Sequence, residues 1–283
     1  MKKKHIGFLH PGAMGVSLAV TAQNTGHKTY WVSEGRGPDT YERAEKNGLV
    51  ETQTLEELCD RCSVIISVCP PQAATEVAQL VLAYPFEGIY VDVNAISPLR
   101  VKHIGQLLMD AGVDFVDGGI IGGPAWKPDT TWLYLSGGPA EKVAAVFSGG
   151  PLATEVIGED IGKASALKMC FAANTKGTLA LLCAIVAAAG EMGVWKELEK
   201  QWSRDDSEFA QSTLAKISRV TEKAWRFSGE MEEIASTLEA VGLPSGFHKA
   251  ACEIYQRIAK FKDTDPIPPV EDVLDALLNP DER

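Results

Sequence analysis

The first residues that could do chemistry form a glycine-containing turn near the start of the chain, Ile6-Gly7-Phe8-Leu9-His10-Pro11-Gly12-Ala13-Met14-Gly15. An apolar run leads into this turn and a helical pattern leaves it, which is the context that a dinucleotide-binding fingerprint requires. Gly12 would let the backbone approach a pyrophosphate, and Gly15 would let the helix pack closely on its strand. The N-terminus of that helix, at Gly12, Ala13 and Met14, would attract the phosphates. His10 replaces the first glycine of the fingerprint, so an ordinary turn that binds nothing stays open as the alternative.

The end of the second predicted strand bears on which dinucleotide would bind. An acidic residue normally lies there and bonds the ribose 2′-hydroxyl of NAD, but this chain has Ser33 at that position. A serine leaves room for a 2′-phosphate, and Arg36 would pair with it. Glu34 would repel that phosphate if it pointed inward. The pattern favours NADP and leaves NAD open, and a solvated loop is the alternative role for Ser33 and Arg36.

A lysine in an apolar setting is the third chemical signal. Lys168 lies in the Ala- and Leu-rich segment 163–192, where Lys176 is the other charge in the middle. Burial in apolar surroundings disfavours an ammonium and lowers its pKa, which would suit Lys168 to proton transfer. The residues alone favour the alternative, a lysine that reaches solvent or pairs with a carboxylate.

Composition and charge limit the classes of partner. The 283 residues carry 27 Lys and Arg against 38 Asp and Glu, a net charge of −11, which argues against nucleic acid or an anionic membrane surface as the main partner. The longest apolar stretch, residues 179–190, falls short of the about 20 residues that a membrane span needs. Six scattered cysteines predict buried thiols and a cytoplasmic protein. The lone Cys59-x-x-Cys62 pair lacks the second pair that a zinc site needs, so no metal site is predicted.

The elements that must position these residues follow two different patterns. Strands and helices alternate over the first 160 residues, which predicts an α/β, Rossmann-type doubly wound parallel sheet. Seven strands are predicted, at 5–10, 28–32, 63–68, 88–93, 113–116, 132–136 and 153–157. The rest has only helical patterns, including separate helices at 207–225 and 230–240. We therefore expect a dinucleotide-binding domain over residues 1–160 and an all-α domain for substrate binding and dimerisation over residues 161–283.

Three motifs together resemble the β-hydroxyacid dehydrogenase family, which includes 6-phosphogluconate and 3-hydroxyisobutyrate dehydrogenases. They are the opening turn, Val64-Ile-Ile-Ser-Val-Cys-Pro-Pro71 and Val91-Asp-Val-Asn-Ala-Ile-Ser-Pro98. The resemblance extends over both halves of the chain and is strongest to an uncharacterised branch similar to phosphogluconate dehydrogenase. It implies that Cys69, Pro70 and Asn94 lie against the cofactor.

The resemblance also implies a substrate site. Asp117-Gly-Gly-Ile-Ile-Gly-Gly123 is similar to the family's substrate loop, so the N–H groups of Gly122 and Gly123 would receive a carboxylate or another oxyanion. Ile121 stands where the family has a serine. Gly162-Lys-Ala-Ser-Ala-Leu-Lys168 is similar to the motif of the catalytic lysine, which makes Lys168 the general acid/base.

Two further residues complete the predicted substrate site. The family's companion asparagine is Ala172 here, and α-helical spacing makes Thr175 a polar neighbour that shares the face of Lys168. His248, at the start of a C-terminal helix, would line the substrate cleft or a partner's cleft. The residues alone favour the alternative, a histidine at a helix terminus that makes a structural hydrogen bond. Glu230, Glu232 and Glu233 are interpreted as a solvated helix face.

The resulting prediction is an NAD(P)-dependent homodimeric oxidoreductase that acts on a small, anionic hydroxy acid or a related alcohol or carbonyl. An imine reductase or reductive aminase on the same fold is the alternative enzyme, although relatives of that kind replace the lysine. A sensor that binds NADP(H) without turnover is the alternative outside catalysis.

Overall fold

The computed structural model describes residues 5–280. The chain divides into two compact units between Met169 and Cys170. The strands of the first unit are β1 His5–Phe8, β2 Lys28–Val32, β3 Val50–Thr52, β4 Val64–Ser67, β5 Ile89–Asp92, β6 Asp114–Gly122, β7 Thr131–Ser136 and β8 Ala153–Val156. Its helices are α1 Ala13–Asn24, α2 Pro38–Lys46, α3 Leu55–Arg61, α4 Ala74–Leu82, α5 Pro98–Asp110 and α6 Ala140–Ala144, and α7 Lys163–Ala172 begins in it.

All eight strands form one sheet in the order β3-β2-β1-β4-β5-β6-β7-β8. Every neighbouring pair is parallel except β6 and β7, which are antiparallel. The order 3-2-1-4-5-6 is that of a dinucleotide-binding sheet, and the strand order reverses between β1 and β4. The Rossmann-type fold predicted from the sequence is therefore confirmed.

Two apolar layers cover the sheet because its central strands are buried on both sides. One face packs Ile6, Phe8, Val64 and Ile66 against α1 and α6. The other face packs Tyr30, Ile65, Tyr90 and Phe115 against α3, α4 and α5. β4, with the sequence Val-Ile-Ile-Ser, is buried along its whole length, as expected for a parallel strand between two helical layers.

Three differences from the predicted elements bear on the site. The short strand β3 was not predicted, because its three residues, Val-Glu-Thr, are too few to show a pattern. The compact units divide after Met169, and not at residue 160, because the start of α7 is hydrogen-bonded to the sheet. The two helices predicted on either side of Gly229 are one helix of 32 residues, Phe209–Ala240, since a glycine lowers helix stability without ending the helix.

The described part of the second unit is helical. A π-helical segment, Ala173–Gly177, joins α7 to α8 Thr178–Glu191, and α9 Trp195–Trp202, α10 Phe209–Ala240, α11 Gly246–Ile258 and α12 Val270–Leu278 follow. Residues Lys163–Glu191 thus form one continuous helix of 29 residues. This helix is long and apolar enough to cross a membrane, unlike the shorter stretch considered in the sequence, although core helices of water-soluble proteins meet the same criterion.

Candidate active site

The glycine turn lies between β1 and α1, at the carboxyl edge of the sheet. A Cβ at Gly15 would collide with the carbonyl oxygen of His10 and lie 3.1 Å from Cγ1 of Val68, so only glycine fits there. A Cβ at Gly12 would meet no protein atom within 4 Å. The first hydrogen bond within α1 runs from the Val16 N–H to the Gly12 carbonyl, so the helix itself leaves the N–H groups of Ala13 and Met14 without an acceptor.

A cleft of about 400 Å³ adjoins this turn. Its lining residues are Leu9, His10, Val32, Glu34, Arg36, Leu55, Val77, Leu80 and Tyr84. Arg36 donates from Nη2 to the Leu9 carbonyl at 3.3 Å, and its buried Nε has no partner among the described residues. Burial, together with the Arg36 charge, lowers the pKa of His10 to about 4. The cleft therefore holds a neutral imidazole and one guanidinium at neutral pH.

The Ser33 hydroxyl is not free to bind a ligand in this cleft, because it is already hydrogen-bonded to the backbone. Its N–H donates to the Thr52 carbonyl at 3.0 Å, and its Oγ donates to the same oxygen at 3.3 Å. Thr52 belongs to β3, the strand that the sequence did not reveal. Ser33 thus fastens the end of β2 to β3, while Glu34 is exposed at the cleft.

A row of polar side chains crosses four neighbouring strands of the sheet. Ser67, Asp92, Asp117 and Ser136 are register partners on β4, β5, β6 and β7, and all four are buried. The Ser136 hydroxyl donates to Oδ2 of Asp117 at 3.1 Å. Burial raises the pKa of Asp92 to about 7, and the Asp117 charge adds to that increase. Two buried acidic side chains, Asp92 and Asp117, therefore lie next to each other in the sheet.

Asn94 links this row to the turn that follows β4. Its Oδ1 accepts from the Cys69 N–H at 2.6 Å, and its Nδ2 donates to Oγ of Ser67 at 3.1 Å. Its own N–H donates to Oδ1 of Asp92 at 2.9 Å. The predicted cofactor residues Cys69 and Asn94 are thus in contact, with the Asn94 amide occupied in fixing the turn. Pro70 is exposed next to them.

Asp117 anchors the first turn of α7 to the sheet. Its carboxylate accepts from the N–H groups of Gly162 at 2.9 Å and Ser165 at 3.1 Å, and from the Ser165 hydroxyl at 2.6 Å. A carboxylate at a helix N-terminus satisfies free N–H groups and complements the helix dipole. Burial still raises the pKa of Asp117, against these hydrogen bonds.

This anchoring places Lys168 directly over β6. A Cβ on Gly119 would lie 2.6 Å from the Ala164 carbonyl oxygen and 3.1 Å from Cβ of Lys168, so the absence of a side chain at Gly119 lets the helix approach. Lys168 itself is half-buried. The sequence motif contains Lys168, but the hydrogen bonds of Asp117 with Ser136 and Ser165 could not be predicted, because they depend on the strand register.

The predicted substrate loop follows on the same strand. Ile121 is half-buried and Gly122 and Gly123 are exposed. Gly122 has a φ of +116°, and the Thr131 hydroxyl donates to the Gly123 carbonyl at 2.7 Å. The loop is thus held in a defined conformation at the end of β6.

The other two predicted substrate residues belong to the second unit. Thr175 is exposed in the π-helical segment and its hydroxyl donates to the Phe171 carbonyl at 3.1 Å, so the α-helical spacing behind its prediction does not hold. His248 is buried beside Gly177, and neither of its ring nitrogens has a partner among the described residues.

The acidic cluster on α10 is not the solvated face that the sequence suggested. Glu230 and Glu233 are buried, whereas Glu232 is exposed. Glu230 pairs with Lys176, whose ammonium also lies 4.2 Å from the centre of the Phe227 ring. The pattern of charges along α10 could not show this, because the partner lies 54 residues away in the sequence.

Within residues 5–280, no group of three or more His, Cys, Asp or Glu side chains is arranged to hold a metal ion. Cys59 and Cys62 are buried, and burial raises the pKa of their thiols to about 11 and about 12.

Comparisons with known proteins agree with this geometry. The NAD binding domain of 6-phosphogluconate dehydrogenase matches residues 5–148, and a domain of unknown function (DUF1932) matches residues 189–258. An uncharacterised 28.5 kDa protein of Methanothermus fervidus is 33% identical over 58% of this chain, and the mitochondrial 3-hydroxyisobutyrate dehydrogenase of Drosophila melanogaster is 26% identical over 59% of it. The matched regions cover 63% and 52% of these two relatives.

Solved structures extend the likeness to most of the chain. A conserved protein of unknown function, described as similar to 3-hydroxyacid dehydrogenases, has a TM-score of 0.67 and 29% identity, over 90% of this chain and 97% of its own. A 3-hydroxyisobutyrate dehydrogenase from Mycobacterium tuberculosis has a TM-score of 0.71 and 17% identity, over 97% and 99% of the two chains.

Imine-reducing enzymes share the fold at lower similarity. A reductive aminase from Aspergillus terreus in complex with NADPH has a TM-score of 0.58 and 15% identity, over 97% of this chain and 99% of its own. An imine reductase variant from Myxococcus stipitatus in complex with NAD⁺ has the same TM-score and 18% identity, over 98% and 99%. Since the family model matches residues 5–148, half of the chain, the chain belongs to the β-hydroxyacid dehydrogenase family.

Proposed function

We propose that the enzyme transfers hydride between NADP(H) and a small hydroxy acid or its oxo counterpart, with Lys168 as the general acid/base. The observation that carries the proposal is the position of Lys168, which Asp117 and Gly119 together fix over β6. A lysine held there by a buried carboxylate and a close helix–strand contact has a defined position from which to exchange a proton.

The cofactor fits the residues of the first unit. The turn offers the open space at Gly12 and the first N–H groups of α1 to a pyrophosphate. Arg36, with an unpartnered buried Nε at the cleft, supports a 2′-phosphate and hence NADP, while NAD stays the alternative. Cys69, Pro70 and Asn94 would lie beneath the nicotinamide ribose. A nicotinamide dinucleotide held by these residues would supply the hydride acceptor or donor.

The chain's own residues supply position and proton. In the oxidation, the C–H bond of the carbinol breaks as a hydride leaves for the cofactor, and Nζ of Lys168, acting as the base, takes the hydroxyl proton, giving an oxo acid and an ammonium. In the reduction, the ammonium returns that proton to the oxygen. We propose that the N–H groups of Gly122 and Gly123 hold the carboxylate of the substrate.

Replacement of Lys168 tests the mechanism. We expect Lys168→Ala to lower kcat for hydroxy acid oxidation by about 10²–10⁴, the usual contribution of a general acid/base. Lys163→Ala is the control: it removes an exposed lysine of the same helix, α7, that pairs with Asp160, and it should leave kcat unchanged. Stopped-flow absorbance at 340 nm would measure both. Full activity in Lys168→Ala would overturn the role assigned to the lysine.

Reduction of a C=N bond is the second candidate, supported by Ile121 and Ala172, which replace polar residues of the family's substrate site. A ketone assayed with NADPH, with and without an amine, separates the two activities, because an imine reductase turns over only when the amine is present. Tight NADPH binding without turnover on either set of substrates would indicate a sensor.

The acidic, cysteine-containing composition supports a cytoplasmic enzyme, and apolar side chains exposed on the second unit support a homodimer. Among these, Met192 and Val241 are largely exposed. We propose that these side chains contact a second copy of the chain.

A further inference from the structure

The antiparallel pair of β6 and β7 has one face on the same side as Lys168. Alternate residues of a strand point to the same face, so Asp117, Gly119 and Ile121 of β6 share one face. Their register partners on β7 are Ser136, Tyr134 and Trp132, and residues directly opposite in an antiparallel pair also share a face. The hydrogen bond from Ser136 to Asp117 confirms that this is the same face.

α7 follows this face of β6 in the same direction as the strand. Gly162 and Ser165 bond to Asp117, and Ala164 and Lys168 lie over Gly119, two residues further along. The next position on that face, about 7 Å beyond Gly119, belongs to Ile121 and its partner Trp132. The Ile121–Trp132 pair is therefore the next surface that the sheet offers after Lys168, at the start of the substrate loop.

Core packing does not account for this pair. The neighbours on the opposite face, Ile120 and Leu133, are buried in the apolar layer under α1 and α6. Ile121 is only half-buried, and Trp132 keeps 36% of its surface exposed. An isoleucine and a tryptophan side by side offer a broad apolar surface with one hydrogen-bond donor, the indole N–H, and no charge.

We infer that the Ile121–Trp132 pair forms an apolar wall that selects hydroxy acids with a hydrocarbon substituent, branched or aromatic, over phosphorylated or polyhydroxylated acids. The inference rests on the proposed function and names its substrate class. The carboxylate takes the N–H groups of Gly122 and Gly123, and the hydrocarbon covers Ile121 and Trp132. A phosphate or a row of hydroxyls against this wall would lose several hydrogen bonds to water and gain at most one, from the indole N–H.

Kinetics with three acids test the selection. We expect kcat/KM for 3-hydroxy-3-phenylpropanoate to be at least about 10²-fold higher than kcat/KM for 6-phosphogluconate. It should also be about 10-fold or more higher than kcat/KM for 3-hydroxypropanoate, because one added methylene is already worth about 10–200-fold in an apolar pocket. Trp132→Ala and Ile121→Ser should each lower the ratio of kcat/KM for the phenyl substrate to kcat/KM for 3-hydroxypropanoate at least about 10-fold. Trp225→Ala removes a tryptophan of equal exposure, 37%, from the second unit and should change neither value.

A binding measurement separates the wall from the catalytic proposal. Calorimetry on the NADP⁺-loaded protein should show 3-phenylpropanoate binding at least about 10-fold more tightly than propanoate, with the difference lost in Trp132→Ala. Lysine-dependent turnover that favours 6-phosphogluconate, or equal binding of the two acids, overturns the wall and leaves the proposed function standing. A binding difference without turnover of any acid overturns the proposed function and supports the wall.

Discussion

Two glycines of the same turn serve different purposes, and single methyl groups can distinguish them. Gly15→Ala forces a Cβ against the His10 carbonyl, so we expect a loss of about 1–3 kcal/mol in the free energy of unfolding. Gly12→Ala meets no protein atom, at a φ of −66°, and should fold with unchanged stability. It should nevertheless raise the Kd for NADPH at least about 10-fold, because the methyl group occupies the approach to the pyrophosphate. Urea unfolding and fluorescence titration measure the two effects, and unchanged NADPH affinity in Gly12→Ala would contradict the assignment of the turn.

Asp92 makes stability depend on pH. Its pKa in the folded protein, about 7, lies above its ordinary value of 3.8, because burial and Asp117 outweigh Arg100 and the Asn94 N–H. The folded state therefore holds the proton more strongly, and the contribution to stability is complete below about pH 4 and lost as the pH rises through 7. Asp92→Asn keeps a neutral group, so it should gain about 1–4 kcal/mol relative to wild type between pH 5 and pH 8. Urea unfolding at both pH values measures this gain, and Asp114→Asn, on the exposed start of β6, is the control. A constant difference across this range would show that Asp92 is ionised throughout.

At the scale of elements, the sequence predicted the strands and helices that have a periodic pattern. It missed the elements without a pattern of their own. The alternation of apolar strands with helices identified the parallel sheet, and seven of the eight strands overlap predicted ones. β3 escaped detection because a strand of three residues has no periodicity of its own; its pairing with Tyr30, Trp31 and Val32 defines it. The π-helical segment Ala173–Gly177 escaped because its residues also suit an α-helix.

The site shows the same division. Gly12, Gly15 and Lys168 could be identified because motifs of fixed spacing contain them. The buried partners of Lys176 and Asp117 could not be predicted, because they lie 54 and up to 48 residues away in the sequence. Only the folded chain brings these residues together. Local patterns predict which residues can do chemistry, whereas the register between β6, β7 and α7 decides which of them are held together.

On the scale of the whole molecule, the net charge of −11 describes the surface more than the site. A dinucleotide would meet the N–H groups of α1 and the guanidinium of Arg36, both within the first unit. Local dipoles and one half-buried cation act over a few ångströms, whereas surface charges further away than about 8 Å are screened at physiological ionic strength. The acidic surface therefore argues against polyanionic partners without arguing against a dinucleotide.

At the scale of the whole molecule, the exposed apolar side chains predict that the protein is a homodimer. Leu181, on the apolar helix α8, is 43% exposed, which we attribute to contact with a second copy of the chain. Light scattering after size exclusion should give twice the 30.5 kDa of one chain for the wild type. A charge at the interface should separate the two copies, so Leu181→Glu should give a single chain mass. Leu99→Glu, at a 64% exposed position on α5 of the first unit, should stay dimeric. A wild-type mass of one chain at every concentration would contradict the dimer, and a dimeric Leu181→Glu would place the interface elsewhere on the surface.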